Sequence, residues 1–201
     1  MASPHLLAIS DRRARRGRSL TDWLAALEGV DAVLLREKHL DDRALFDAAI
    51  AARAALGDEV LLLVSGRLDV ALAAGAGGVH LPADGVPAAL LRRRFGRRVV
   101  IGCSTHRPSE VAAARDAGAD FVTFGPVFDT PSKRRYGPPA GLAGLRRAAA
   151  CGIPVLALGG IDATRYPAVI AAGAAGVAGI RVFHRQRRRR ALLDAARRHP
   201  G

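Results

Sequence analysis

Eight short apolar runs recur along this chain, each followed by a segment of helical spacing, and that recurrence constrains the fold more than any other feature. The runs are HLLAIS (5–10), AVLLRE (32–37), VLLLVS (60–65), GVHLP (78–82), VVIGCS (99–104), FVTFGP (121–126), PVLALG (154–159) and GVAGIR (176–181). They are short and poor in polar–apolar alternation, as strands buried on both faces should be. Helical spacing follows over Leu20 to Leu27, Asp42 to Leu56, Leu68 to Ala74, Ala88 to Phe95, Ser109 to Ala117, Leu142 to Ala150, Tyr166 to Ala172 and Ala191 to Arg198. Gly57, Gly75, Gly118, Gly152 and Gly173 close periodic segments, where a left-handed helix end is expected. Asp41, Ser109 and Asp162 are expected N-caps. Regular strand–helix alternation argues for a parallel sheet. Eight units in 201 residues argue for an α/β single-domain (β/α)₈ TIM barrel with little inserted between units. The expected core spans about 5–183, with a basic C-terminal helix over 184–201. An open doubly wound sheet is the alternative. No GxGxxG follows the first run, which counts against a dinucleotide fold.

Composition narrows the function classes. No apolar run approaches the roughly 18 residues that a membrane helix needs. The start MASPHLLAISDRRARR lacks the charged-then-apolar pattern of a secretory signal. Cys103 and Cys151 offer neither zinc spacing nor a disulfide framework, so a cytoplasmic location is expected. The net charge of +13 raises the question of nucleic acid. The arginines, however, are scattered over nearly every expected helix, and the one dense run, Arg187 to Arg190, has no aromatic platform beside it. No nucleic-acid partner and no membrane partner are expected. Of 31 basic residues only two are lysines, Lys38 and Lys133. Both follow expected strands, where a compact ammonium is not replaceable by a planar guanidinium.

In a (β/α)₈ barrel the active site lies at the C-terminal ends of the strands. The residues at those ends are Asp11, Arg36 and Lys38, Ser65 with Gly66 and Arg67, Pro82 and Asp84, and Ser104, Thr105 and His106. Thr130, Ser132 and Lys133 lie beyond the sixth run; Gly159 with Gly160, and Gly179, Ile180 and Arg181, close the seventh and eighth. The set is cationic and rich in hydroxyls. Backbone N–H groups after the last two strands form the common phosphate site of this fold, and glycine lets an anion approach the main chain. A small phosphorylated substrate is expected, with a second anionic group held by Arg36, Lys38 and Lys133.

AVLLREK, GVHLP, IGCSTH, FGPVFDTPSK, YGPPAGLAGL, PVLALGGI and AAGAAGVAGI, in this order, resemble the thiamine phosphate synthase and TenI superfamily. The resemblance runs from Ile9-Ser10-Asp11 to about Phe183. It implies a small barrel of thiamine biosynthesis, usually oligomeric, that binds a thiazole phosphate on the last two glycine loops. Synthases of this family join a pyrimidine diphosphate to the thiazole phosphate. Their diphosphate ionises away, and the thiazole nitrogen captures the pyrimidine cation. That chemistry calls for a metal and fixed cations.

The resemblance also shows departures. The synthase pattern Gln-x-Arg-x-Lys reads Leu34-Leu35-Arg36-Glu37-Lys38 here. Asn-Asp after strand 3 reads Ser65-Gly66. Gly-Gln-Glu-Asp after strand 4 reads Pro82-Ala83-Asp84-Gly85, which leaves Asp84 as the metal-ligand candidate. SGRLDVAL and Leu-Pro after Val79-His80 resemble the TenI branch, which isomerises the thiazole carboxylate phosphate. The tautomerase histidine of Phe-Gly-His-Val-Phe is Pro126 here. His106 is then the acid–base candidate. Its alternative role is to bind phosphate or cap a helix, while His80 reads as a hydrogen-bonded barrel residue. The main expectation is a TenI-like enzyme without a cofactor. The alternatives are a true synthase using Mg²⁺ and a non-catalytic thiazole phosphate binder. A homo-oligomer is expected in each case.

Overall fold

The computed structural model of the chain describes residues 3–130, 134 and 137–199. All eight apolar runs form strands, with ends within two residues of the expected bounds: β1 (Leu6–Ile9), β2 (Ala32–Leu35), β3 (Leu61–Ser65), β4 (Gly78–Leu81), β5 (Val100–Thr105), β6 (Phe121–Phe124), β7 (Val155–Leu158) and β8 (Gly176–Gly179). Each strand pairs in parallel with the next, and Leu7 of β1 pairs with Ala178 of β8, which closes the barrel. The helices are α1 (Arg12–Arg15), α2 (Leu20–Ala25), α3 (Asp42–Leu56), α4 (Leu68–Ala73), α5 (Ala88–Phe95), α6 (Pro108–Asp116), α7 (Gly141–Ala149), α8 (Tyr166–Ala171) and α9 (Gln186–Arg198). No helix among the described residues is long and apolar enough to cross a membrane.

The absence of alternation in the strands has a direct cause: both faces are buried. Inward residues Leu7, Ile9, Ala32, Leu34, Leu63, Val100, Phe121, Leu156 and Ala178 fill the barrel interior. Outward residues such as Leu6, Ala8, Val33, Leu35, Leu62, Val64, Val122 and Val155 pack under the helices. Full burial of each such aliphatic side chain contributes roughly 1.5–3 kcal/mol, so the two apolar layers fix which residue of each strand faces in. That parity carries upward. Beyond the apolar layers, the next inward positions are Ser65, His80, Ser104, Thr123, Leu158 and Ile180, all of which face a cavity.

Three local expectations need correction. Ser109 is not an N-cap: α6 starts at Pro108, which has no N–H to satisfy and a φ already suited to a first turn. Glu110 serves that helix start, its Oε2 accepting from His106 N at 2.7 Å. Asp162 caps a turn ahead of α8: its Oδ1 accepts from the N–H groups of Thr164 and Arg165, and α8 begins at Tyr166. The last helix begins at Gln186 and not at Ala191. Arginine is a good helix former, and Arg189 is buried with Leu192, Leu193 and Ala195 on the inner face of α9. The arginine run is therefore part of the helix.

Candidate active site

A cavity of about 700 Å³ opens at the C-terminal ends of the strands. Its floor consists of Ile9, Leu34, Ser65, His80, Ser104, Thr123, Leu158 and Ile180, the inward positions named above. Gly102 makes room beneath it: a Cβ there would lie 2.5 Å from Phe121 Cζ and 2.7 Å from His80 Cδ2. Phe121 thus fills the barrel axis and supports the His80 ring, their centroids 5.8 Å apart. His80 Nε2 lies 3.2 Å from Thr123 Oγ1. Burial pushes the His80 imidazole down to about 4, so at neutral pH it is an uncharged polar group in the floor. The sequence reading of His80 as a hydrogen-bonded barrel residue agrees with this placement.

The rim is charged. Arg36 and Lys38 reach the cavity from the segment after β2, Asp84 from the segment after β4, and Arg107 and Glu110 from the start of α6. The segment after β2 is tied to β1: Arg36 N donates to the buried Ser10 Oγ at 2.8 Å, and Arg36 Nη1 lies 3.9 Å from Asp11 Oδ2. Asp11 also caps α1, its Oδ1 accepting from Ala14 N at 2.9 Å. It therefore makes local contacts and does not line the cavity among the described residues.

His106 lines the cavity too. Its Nδ1 sits 2.5 Å from the Gly125 carbonyl oxygen. A carbonyl only accepts, so that hydrogen bond assigns the proton to Nδ1 and leaves Nε2 as the acceptor of the neutral ring. The arrangement suits a group that takes a proton at Nε2 from a fixed orientation. Pro126, the residue after a cis Gly125–Pro126 bond, also lines the cavity, as do Gly137, Pro138 and Ala140.

The other expected site residues divide into three groups. Ser104 and Thr105 line the cavity, but the Thr105 hydroxyl already donates to the Thr123 carbonyl at 3.1 Å. Thr130 does not line it among the described residues; its hydroxyl donates to the Phe128 carbonyl at 3.1 Å and closes the local turn. Ser132 and Lys133 lie outside the described residues. Ile180 lines the cavity, whereas Arg181 is exposed to solvent away from it.

Gly159 and Gly160 have φ of +101° and +68°. A Cβ on Gly159 would lie 2.8 Å from Pro126 Cα, and one on Gly160 would lie 3.0 Å from the Asp129 carbonyl oxygen. The pair therefore lets the loop after β7 press against the loop after β6, where Val127 N and Phe128 N donate to the Leu158 and Gly159 carbonyls. Gly179 allows a similar approach by Val182, whose Cγ1 would sit 2.6 Å from an added Cβ.

Sequence reasoning did not place Arg107, Glu110, Thr123, Gly137, Pro138 or Ala140 at the site. The inward parity of β6 was the available signal for Thr123, two residues before Gly125. No local pattern marked the others, which are brought in by the path of the chain after β5 and β6. Among the described residues, no three His, Cys, Asp or Glu side chains converge as a metal cluster. Asp84 is the cavity carboxylate with no protein hydrogen bond or ion pair among the described residues, while Glu110 is engaged with His106 N and Arg107.

Fold and cavity together define a (β/α)₈ barrel with a cationic pocket at the C-terminal mouth. The family model described as thiamine monophosphate synthase matches residues 6–183, and the chain belongs to that family. A putative thiamine-phosphate synthase of Geobacter sulfurreducens is 48% identical over 181 residues, covering 86% of this chain and 83% of the relative. A thiamine-phosphate synthase of Methanoculleus marisnigri is 44% identical over 177 residues, covering 86% and 84%. Among solved structures, the thiamine phosphate pyrophosphorylase from Pyrococcus furiosus superposes with a TM-score of 0.84 at 28% identity, over 98% of this chain and 97% of that one.

Proposed function

We propose that the chain is a thiamine-phosphate synthase, joining a pyrimidine diphosphate to a thiazole phosphate with release of diphosphate. This replaces the TenI-like expectation from sequence. The observation that carries it is the pair of relatives at 48% and 44% identity over 86% of the chain, both bearing the synthase name. Pro126 supports the same reading. It lines the cavity where a tautomerase of the resembling branch would keep its histidine, and proline cannot take or give a proton.

The cavity chemistry is compatible with the reaction. Departure of a diphosphate requires fixed positive charge where negative charge develops. Arg36, Lys38 and Arg107 are cavity cations, and Arg36 is oriented by its backbone bond to Ser10. The floor carries no charged side chain: Ile9, Leu34, Leu158 and Ile180 are apolar, His80 is neutral, and Ser65, Ser104 and Thr123 bear only hydroxyls. A bound substrate would therefore cover a lining with little hold on the water that would capture a pyrimidine cation. His106, with Nδ1 held by the Gly125 carbonyl, keeps Nε2 as the ring atom that can take a proton.

Mg²⁺ fits this donor set in one way. The ion is commonly bound by one or two carboxylates completed by substrate phosphates and water, and Asp84 would be the protein ligand. When bound, it would neutralise charge on the diphosphate. The loss of the family's Asn-Asp after β3, here Ser65-Gly66, leaves the cation more dependent on the substrate's own oxygens.

The test is diphosphate release by purified protein with Mg²⁺. Release that needs both the pyrimidine diphosphate and the thiazole phosphate, and falls at least tenfold in kcat/KM with Arg36→Ala (about 1.4 kcal/mol), supports the reading. No thiamine phosphate under saturating substrates contradicts it.

A further inference from the structure

Between the two cavity cations Arg36 and Lys38 stands a carboxylate that does not reach the cavity. Glu37 is 4% exposed. Its carboxylate is held by a bidentate pair from Arg15 of α1, with Nη1–Oε1 at 2.5 Å and Nη2–Oε2 at 3.1 Å. The Arg15 side chain is 9% exposed and that of Glu37 is 1%. His39 Nδ1 stands 3.6 Å from Glu37 Oε2. The Glu37 carbonyl accepts from Leu40 N at 3.0 Å, which fixes the turn that carries Lys38. At the other end of the pair, Arg15 N donates to the Asp11 carbonyl at 3.2 Å, and Asp11 caps the same short helix. One four-residue helix thus grips the middle of the segment whose flanking residues, Arg36 and Lys38, line the cavity.

A negative charge in that position is otherwise a liability. An unpaired Glu37 would draw Arg36 or Lys38 onto itself, or would repel the anion those residues are there to bind. A buried ion pair of this type gives little net stability, because desolvation offsets the attraction, but an unpaired buried charge costs much more. We propose that Arg15 is a positioning residue for the anion site: by neutralising and anchoring Glu37, it keeps Arg36 and Lys38 directed at a bound diphosphate. This inference rests on the reading of the cavity as a diphosphate site.

The experiment compares wild type, Arg15→Met, Glu37→Gln and the double variant R15M/E37Q. Each is titrated with inorganic pyrophosphate and Mg²⁺ by calorimetry, and its thermal midpoint is recorded. Arg15→Met is expected to weaken pyrophosphate binding about tenfold, about 1.4 kcal/mol, since Arg15 acts on the anion only through the segment it anchors. The double variant is expected to return to within about threefold of wild type, since the carboxylate left behind is gone. In turnover, Arg15→Met is expected to raise the KM for the pyrimidine diphosphate more than it lowers kcat.

A double variant that binds as weakly as Arg15→Met would assign the pair to packing alone, as would an Arg15→Met variant that binds like wild type. If Arg15→Met does not fold, Arg15→Lys takes its place. It keeps the charge but loses the two-pronged geometry, and a fall of about threefold reversed by Glu37→Gln is expected. Wild-type protein that does not bind pyrophosphate would refute the diphosphate site itself. Wild type that binds, with the variants unchanged, refutes only the role given to Arg15.

Discussion

Two residues of the barrel axis show how a core choice becomes a property of the site. Gly102 has no positive φ; it is glycine because Phe121 and the His80 ring occupy the volume a side chain would need. Gly102→Ala is expected to cost about 1–3 kcal/mol through overpacking, measured by denaturant unfolding, and to displace the cavity floor. His80 carries a pH prediction. Its folded-state value is near 4 and its unfolded value near 6.5, so between these limits the unfolded chain binds the extra proton. The stability due to its neutral form is complete above about 6.5 and is lost as pH falls toward 4, by about 3 kcal/mol at 1.4 kcal/mol per pH unit.

His184, stacked on Trp23 with centroids 4.4 Å apart, is shifted down by burial as well and adds a loss of the same sign. His80→Gln should therefore flatten, without abolishing, the fall in unfolding free energy between pH 6.5 and 4. An unchanged slope would contradict the assignment of His80 as a neutral floor group. At this scale the sequence was only partly legible. Residue type marked His106, Arg36, Lys38 and Asp84 for the cavity they line. It did not reveal that the hydroxyls of Thr105 and Thr130 are already engaged by carbonyl groups.

At the scale of elements, legibility follows the number of apolar residues in each. The strands were readable because burial on both faces makes each one a continuous apolar run. The helix α3 was readable to the residue because it combines an N-cap, a long apolar stripe and Gly57 at its end. Asp41 Oδ1 accepts from Ala44 N at 2.8 Å. Asp41→Ala is expected to cost about 1 kcal/mol, a fall of about 2–4 °C in thermal midpoint for a chain of this size; no change would mean the cap is redundant. The helix α1 was invisible for the opposite reason. It has four residues, three of them arginines, and no buried residue. Its existence depends on the Asp11 cap, a signal too weak by itself to mark a helix without an apolar stripe, and on the tertiary pair between Arg15 and Glu37, which has no local signature. For α9 the expected basic helix over 184–201 contains the observed Gln186–Arg198, but the arginine run reads as solvated surface while Arg189 packs inward.

At the scale of the whole molecule, topology did most of the work. Closure of eight parallel strands brings segments from β2, β4, β5 and β6, more than eighty residues apart in the chain at the extremes, to one mouth. The residues after each strand therefore share one mouth, where Arg36, Lys38, Asp84, Ser104 and His106 line the cavity. What the linear order could not supply was the composition of that mouth. Arg107 and Glu110 enter from the start of α6, and Gly137 and Pro138 enter from the residues just ahead of α7.

Pro126 faces the cavity, and the relatives that span most of the chain bear the synthase name. The decisive measurement is made on one preparation of the protein with Mg²⁺, by chromatographic detection of products. The thiazole carboxylate phosphate is supplied alone, and in parallel the thiazole phosphate is supplied with the pyrimidine diphosphate. Thiamine phosphate is expected from the pair, with no acceleration of isomerisation of the lone thiazole. Isomerisation without any condensation would contradict it.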